Sequence, residues 1–208
     1  VADVEELLNT TEAHLNARRF EEAMASVQAA FASFPEDARV RRTYGALFLA
    51  HGIRLSGLAR ETRRKEIEAR GKPGEAFEDS EVVRELFREV LGSFERVVAV
   101  DADHAKAWTL KAQALFRLDR ANRLAALAAY DEAGRALERT LPADSPALKT
   151  GRRNLLRGRR QIERPCDLCD DTGFCTECVG SGWRTTLGFR RKCETCLGHG
   201  TCKRCGVL

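Results

Sequence analysis

Cys166-Asp-Leu-Cys169, Cys175-Thr-Glu-Cys178, Cys193-Glu-Thr-Cys196 and Cys202-Lys-Arg-Cys205 hold every cysteine of this 208-residue chain; residues 1–165 contain none. Two residues between cysteines let both sulfurs grip one metal from a tight turn, and two such turns complete a tetrahedron of four thiolates, the donor set that suits zinc. Four pairs therefore predict two zinc ions per chain. The stretch is rich in Cys, Gly, Thr and Arg and poor in apolar residues. It cannot fold on hydrophobic burial alone and needs such staples. The first two pairs start nine residues apart, as do the last two, and the longer segment from Val179 to Lys192 separates the halves. That segment, Gly180-Ser-Gly-Trp-Arg-Thr-Thr-Leu-Gly-Phe-Arg-Arg-Lys192, reads as a β-hairpin. Folding back there brings Cys175, Cys178, Cys193 and Cys196 to one metal and Cys166, Cys169, Cys202 and Cys205 to the other. The rival pairing joins neighbouring pairs, each closing across only five intervening residues.

Other cysteine chemistries compete with zinc. Disulfides fit poorly in a cytosolic-looking chain of Cys-x-x-Cys pairs. A thiol-disulfide oxidoreductase needs one exposed low-pKa pair on a βαβ scaffold, and none is legible. Iron–sulfur ligation remains chemically open. His199, between two glycines, reads as an exposed loop residue, because eight thiols already saturate two tetrahedral sites. Trp183, Leu187 and Phe189 read first as the small core of the hairpin, and second as an apolar edge for a peptide partner.

The glycines follow the cysteines at fixed offsets. Cys175-Thr-Glu-Cys178-Val-Gly180-Ser-Gly182 and Cys193-Glu-Thr-Cys196-Leu-Gly198-His-Gly200 are both Cys-x-x-Cys-x-Gly-x-Gly. Glycine permits positive φ there and lets the turn aim amides at sulfur. The pattern resembles the cysteine-rich domain of DnaJ-type chaperones, over about residues 165–208. That resemblance implies two nested zinc sites and a contact with non-native or assembling protein. The first repeat departs from it, with Asp171 at the first glycine position, and the fourth has Gly206 one place early. None of His14, His51, His104 and His199 is followed by proline, so the His-Pro-Asp signature of a J domain is missing.

The cysteine-free part is rich in Ala, Leu, Arg and Glu, strong helix formers. Residues 4–37 place Phe20, Ala23, Ala30 and Pro35 where a tetratricopeptide (TPR) repeat has its aromatic, small, small and proline residues. A second unit begins at Ala38 with Tyr44-Gly45 and Phe48, and an insertion, about 53–80, interrupts it. The insertion reads as an exposed extension of the unit's first helix, with Glu61–Lys65, Arg64–Glu68 and Glu66–Arg70 pairs and a break at Gly71-Lys72-Pro73-Gly74. Ser80 is set to cap the next helix. A third unit starts near His104, with Trp108 in its first helix and Asn122 as the cap of its second. A last helix opens at Ser145-Pro146, with Leu148, Leu155 and Ile162 on one side. The expected fold is mainly α: a TPR-like array with a capping helix over 1–163, then a small two-zinc β-hairpin domain over 164–208.

The acidic start, Val1-Ala2-Asp3-Val4-Glu5-Glu6, lacks a signal core, and no stretch of about 18 apolar residues occurs, so a cytoplasmic protein without membrane contact is expected. The formal charge of +4 falls to zero once eight thiolates hold two zinc ions. Basicity alone therefore argues weakly for nucleic acid. Locally, Lys149, Arg152, Arg153, Arg157, Arg159, Arg160 and Arg164 crowd the last helix. They read as a solvated face beside anionic zinc–thiolate centres, or as a nucleic-acid patch over 149–164. No catalytic constellation is present. The expected function is a non-catalytic, chaperone-like adaptor. Its TPR-like groove, with Asn9, Ala13, Arg41, Tyr44, Phe48 and Lys111, would take a partner peptide. Trp183 and Phe189 of the zinc domain would make a second protein contact.

Overall fold

The structure is a computed structural model describing residues 3–70 and 78–205, with only the backbone of Arg70. The expected break at Gly71-Lys72-Pro73-Gly74, the Glu66–Arg70 pair and Gly206 lie outside the described residues. Within them the chain forms α1 (Val4–Asn16), α2 (Phe20–Ser33), α3 (Ala38–Arg70), α4 (Glu81–Val100), α5 (Ala105–Leu118), a 3-10 turn (Arg120–Asn122), α6 (Arg123–Thr140), α7 (Pro146–Ile162), β1 (Trp183–Thr186) and β2 (Phe189–Lys192). Each helix packs on its neighbour in sequence, from α1·α2 through α6·α7. No helix among the described residues is long and apolar enough to cross a membrane.

The helix boundaries follow from local chemistry. Asp37 accepts from the amides of Arg39 and Val40 and so starts α3. Ser80 accepts from Val83 N at 3.2 Å and Ser145 from Leu148 N at 3.1 Å, with Pro146 in the first turn of α7. Asn122 does not cap α6. Asp119 takes the cap position of the preceding 3-10 turn, accepting from Ala121 N, and the Asn122 amide reaches back to Leu115 O. The carboxylate one turn earlier wins because it meets the free amides first.

Small residues set how closely the helices approach. Ala23, Ala30, Ala59, Ala107, Ala112, Ala126, Ala133 and Ala136 are completely buried. On α7, Leu148, Leu155 and Ile162 face the core as expected, and glycines sit between them. Gly151 leaves room for Leu137 of α6, and Gly158 for Tyr130.

Two expectations fail here. Tyr44 and Phe48 do not line a groove: they are 8% and 2% exposed and share a core with Met24 and Val27 of α2 and Val97 of α4. Helix α3 is covered by α2 on one side and α4 on another, so its aromatic residues face helices rather than solvent. Nor is the extension of α3 exposed all round. Leu55, Ala59 and Ile67 are buried, with Leu55 against Val90 and Phe94 and Ala59 against Val83 and Phe87. Its opposite face carries the expected Glu61–Lys65 and Arg64–Glu68 pairs, and Glu66 accepts from Ser80 Oγ at 2.6 Å.

Close approach can be tested with alanine. A Cβ at Gly52 would fall 2.6 Å from the fully buried Phe94 ring, whereas one at Gly134 of α6 meets nothing within 4 Å. Helix propensity favours alanine at both sites by about 1 kcal/mol. At Gly52 overpacking costs about 1–3 kcal/mol. Chemical denaturation of the helical transition is expected to show Gly134→Ala stabilised and Gly52→Ala destabilised, each by about 1 kcal/mol.

Candidate metal centres

The hairpin pairs Trp183 with Lys192 and Thr186 with Phe189, leaving Leu187-Gly188 as a two-residue turn with both φ angles positive. The antiparallel track continues toward the chain ends. Cys193 N donates to Gly182 O, Cys175 N to Gly200 O and Cys202 N to Gly173 O, each at 2.9 Å, with an isolated bridge between Phe174 and Thr201. This track nests the four Cys-x-x-Cys turns and excludes the local pairing.

Three of those turns share one backbone design. Asp171 N, Gly180 N and Gly198 N donate to Cys166 O, Cys175 O and Cys193 O. Thr172 N, Ser181 N and His199 N donate to Cys169 O, Cys178 O and Cys196 O, each at 3.0 Å. In each turn three residues take positive φ: Asp170, Asp171 and Gly173; Val179, Gly180 and Gly182; Leu197, Gly198 and Gly200. Asp171 thus reproduces the glycine conformation it replaces, which aspartate tolerates better than most residues. Its side chain adds what glycine lacks, accepting from Cys166 N at 3.2 Å and pairing with Arg123. Gly182 and Gly200 are sterically required: a Cβ would lie 2.5 Å from Gly198 O and 2.2 Å from Gly180 O respectively. Their amides point at sulfur, Gly182 N to Cys178 Sγ at 3.2 Å and Gly200 N to Cys196 Sγ at 3.3 Å.

The outcome is two clusters, Cys166, Cys169, Cys202, Cys205 and Cys175, Cys178, Cys193, Cys196, whose sulfurs lie within 4.8 Å of one another in each. The eight side chains are at most 5% exposed. Tetrahedral bonds of about 2.3 Å separate sulfurs by about 3.8 Å. The sulfurs stand 3.8 and 3.4 Å apart across the outer cluster and 3.9 and 3.6 Å across the inner one. The donors therefore fit a four-coordinate metal ion. Electrostatics agree. Burial pushes the Cys169, Cys175, Cys178 and Cys205 thiols up. Cys193 and Cys202 move down despite burial, because amide N–H groups hold their thiolates, Cys202 to about 7. Four thiolates so close together require a cation, and binding it at neutral pH releases protons.

The arginines set against the outer cluster are not those of α7 that the sequence singles out. They come from the junction of α5 and α6. Arg120 draws the Cys205 thiol downward against burial, and Arg123 bridges Asp171 and Ile162 O. Single arginines after a helix give no pattern, so only the Asp171 departure from glycine hints at a charged partner. The cysteine-rich unit also rests on α3. Ile67 Cγ2 lies 3.0 Å from the Cβ position of Gly200, Arg63 stacks on Phe174 at 4.7 Å, and Arg190 reaches Glu68 O at 3.4 Å. His199 is exposed and outside both clusters, as expected.

The partner-binding candidates separate. Trp183 is half-buried under Arg190, whose guanidinium lies 4.7 Å from the ring. Arg41 donates to Val100 O at 2.8 Å, and Lys111 pairs with Glu95 at 3.3 Å while facing Trp108. Both cations therefore hold helices together. Phe189 is 71% exposed and Leu187, at the hairpin turn, 93%; Leu197, in the third Cys-x-x-Cys turn, is 73% exposed.

Because Ile67 and Arg63 lean on the metal-braced turns, chelation is expected to do more than unfold 166–205, whose stability is of the order of the metal-binding energy, about 10–16 kcal/mol for such sites. Hydrogen exchange is expected to accelerate in α3 from Ala59 to its end, with α1 and α2 unchanged; unaltered protection in that part of α3 would show the contact to be energetically idle. Across family models, curated proteins and solved structures, no match to this chain is found.

Proposed function

We propose that both clusters hold zinc and that the chain is a non-catalytic protein-binding adaptor. The helical hairpins serve as a TPR-like scaffold and the cysteine-rich unit as a DnaJ-like contact module. The sulfur spacing and the all-thiolate donor sets favour zinc, which takes four such ligands without redox chemistry. The thiols are too buried for exchange with a substrate disulfide, which disfavours the oxidoreductase reading. One observation carries the adaptor reading. A hairpin with almost no core of its own, rooted at the inner cluster, holds Leu187 and Phe189 in solvent at its tip. Among the described residues neither outer edge of its two-stranded sheet has a partner strand, so an extended segment can add to the sheet and cover these side chains.

A second reading also has support. Lys149, Arg153, Arg157 and Arg160 recur along one stripe of α7 and enter no ion pair among the described residues. With Leu156 and Arg204 they line a groove of about 660 Å³. Neighbouring cations have partners: Arg152 pairs with Glu138, Arg159 with Asp131 and Arg204 with Asp167. An unpaired stripe suits a phosphate backbone.

Elemental analysis of protein purified without added metal is expected to give two zinc equivalents. Replacing Cys175 and Cys196 together is expected to leave one, because both belong to the inner cluster. Visible absorption from bound iron would refute the zinc assignment.

The surfaces separate by charge and hydrophobicity. Leu187→Asp with Phe189→Asp is expected to lower partner capture at least several-fold while costing under about 0.5 kcal/mol of stability, since both side chains are exposed. Reversing Arg153, Arg157 and Arg160 is expected to leave capture intact. Retained capture by the hairpin variant, with a steeply salt-dependent nucleic-acid shift abolished by the α7 reversal, would replace the adaptor reading with the nucleic-acid one.

A further inference from the structure

Where the far end of α3 meets the cysteine-rich unit, guanidinium groups converge on a cleft of about 390 Å³. Arg60, Arg63 and Arg64 reach it from successive turns of α3, Arg117 from the last turn of α5, and His199 and Thr201 from the loop of the third Cys-x-x-Cys turn. Gly57, Ile67 and Phe87 form an apolar part of the wall.

The charges here do not balance. Glu61 is the one carboxylate of the wall, and its oxygens are taken by Arg64, at 2.8 and 3.1 Å, and by Lys65. Asp79 neutralises Arg63 at 2.8 Å. Arg60 and Arg117 enter no ion pair among the described residues. The Arg60 Nε–H donates to Ser56 O at 3.1 Å, and Arg117 reaches Ser56 Oγ at 3.5 Å. Burial, with Arg60, Arg63 and Arg120 nearby, holds the Arg117 guanidinium down at about 10, and burial also lowers Arg63. A folded protein tolerates such crowding of like charge at a cost, and an anion in the cleft would remove that cost. The outer thiolate cluster does not serve this purpose, since the arginine set against it is Arg120, outside the cleft wall.

We propose that this cleft is a binding site for a phosphate-type dianion, held chiefly by Arg60 and Arg117, with Arg63 and His199 beside it. Guanidinium groups converging from two helices offer forked donors to different oxygens, which matches a tetrahedral anion better than a two-oxygen carboxylate. The apolar wall formed by Ile67 and Phe87 leaves space for the organic part of a phosphate monoester. The site spans both parts of the chain, so its ligand would strengthen the contact between α3 and the metal-braced loop. This inference does not depend on the adaptor reading.

The test is calorimetric titration of the metal-loaded full chain with inorganic phosphate at constant ionic strength. Saturable one-site binding is expected, with no saturation by acetate. Arg60→Gln and Arg117→Gln are each expected to weaken it about tenfold. Arg153→Gln, outside the cleft, is expected to leave it unchanged. Circular dichroism and metal content establish that each variant is folded, and exposed Arg60 keeps the test valid should Arg117→Gln destabilise the protein. A phosphoserine peptide and adenosine monophosphate, titrated in the same way, show which carrier of the phosphate binds more tightly through these arginines. Absence of saturable phosphate binding, or binding insensitive to Arg60→Gln, overturns the proposal.

Discussion

Four thiols converge on one point twice in this chain, and without a cation neither point is stable. The cysteine-rich unit has no hydrophobic alternative. Leu187, Phe189 and Leu197 lie in solvent, and the buried side chains of its centre are the cysteines themselves. Burial raises two thiols in each cluster, Cys169 and Cys205 in the outer and Cys175 and Cys178 in the inner, so a metal-free cluster has little to hold its sulfurs together. A bound ion converts the same burial into an advantage, because the low dielectric strengthens the attraction between cation and thiolates. The positive-φ turns, the amides aimed at sulfur and the hairpin register all follow from that requirement.

The requirement extends into the helices through a few contacts. Asp171 joins the outer turn to Arg123, and Arg123 also closes the end of α7 through Ile162 O. Ile67 meets the backbone of Gly200, where any larger residue would collide with Gly180 O. The helical part in turn gives the far half of α3 one buried face against α4 and a second support on the cysteine-rich unit. A helix of 33 residues crosses from one body to the other and is covered along its length by different partners.

The cysteine ligands were legible because their chemistry is local: two residues between sulfurs, glycines at fixed offsets, a turn in the middle. The caps Ser80 and Ser145 and the Leu148, Leu155, Ile162 stripe were legible for the same reason, since each depends on residues within one or two turns. What escaped is tertiary. Tyr44 and Phe48 stand where a groove is expected, yet their exposure depends on whether α2 and α4 cover that face, and periodicity carries no such information. The extension of α3 has a charged pattern on one face that reads as solvated, while Leu55, Ala59 and Ile67 are too widely spaced to announce the other. Asp171 looked like a defect in a glycine pattern. Its partner is 48 residues earlier in sequence, beyond any local signal.

The same distinction explains where the positive charge goes. On the sequence, α7 holds the dense run of arginines, and proximity to the first cysteine suggests that they neutralise the thiolate centres. In the fold, Arg120 lies against the outer thiolates and Arg123 pairs with Asp171 of the outer turn, and the run includes neither. A salt link to a buried centre needs a short side-chain reach and a fixed backbone, and the start of α6 supplies both at the outer turn. The arginines of α7 project from a helix whose buried face is already committed to α6, so several reach solvent without a counter-ion among the described residues. The guanidinium groups at the α3–α5 cleft are crowded for a different reason, since they converge from two helices beside the metal-braced loop. Two basic regions thus remain outside the structural electrostatics, one a stripe along a single helix and one a cleft between two helices. The stripe runs along one helix, whereas the cleft gathers guanidinium groups from two, so they are suited to different anions: an extended backbone for α7, and a single compact group for the cleft.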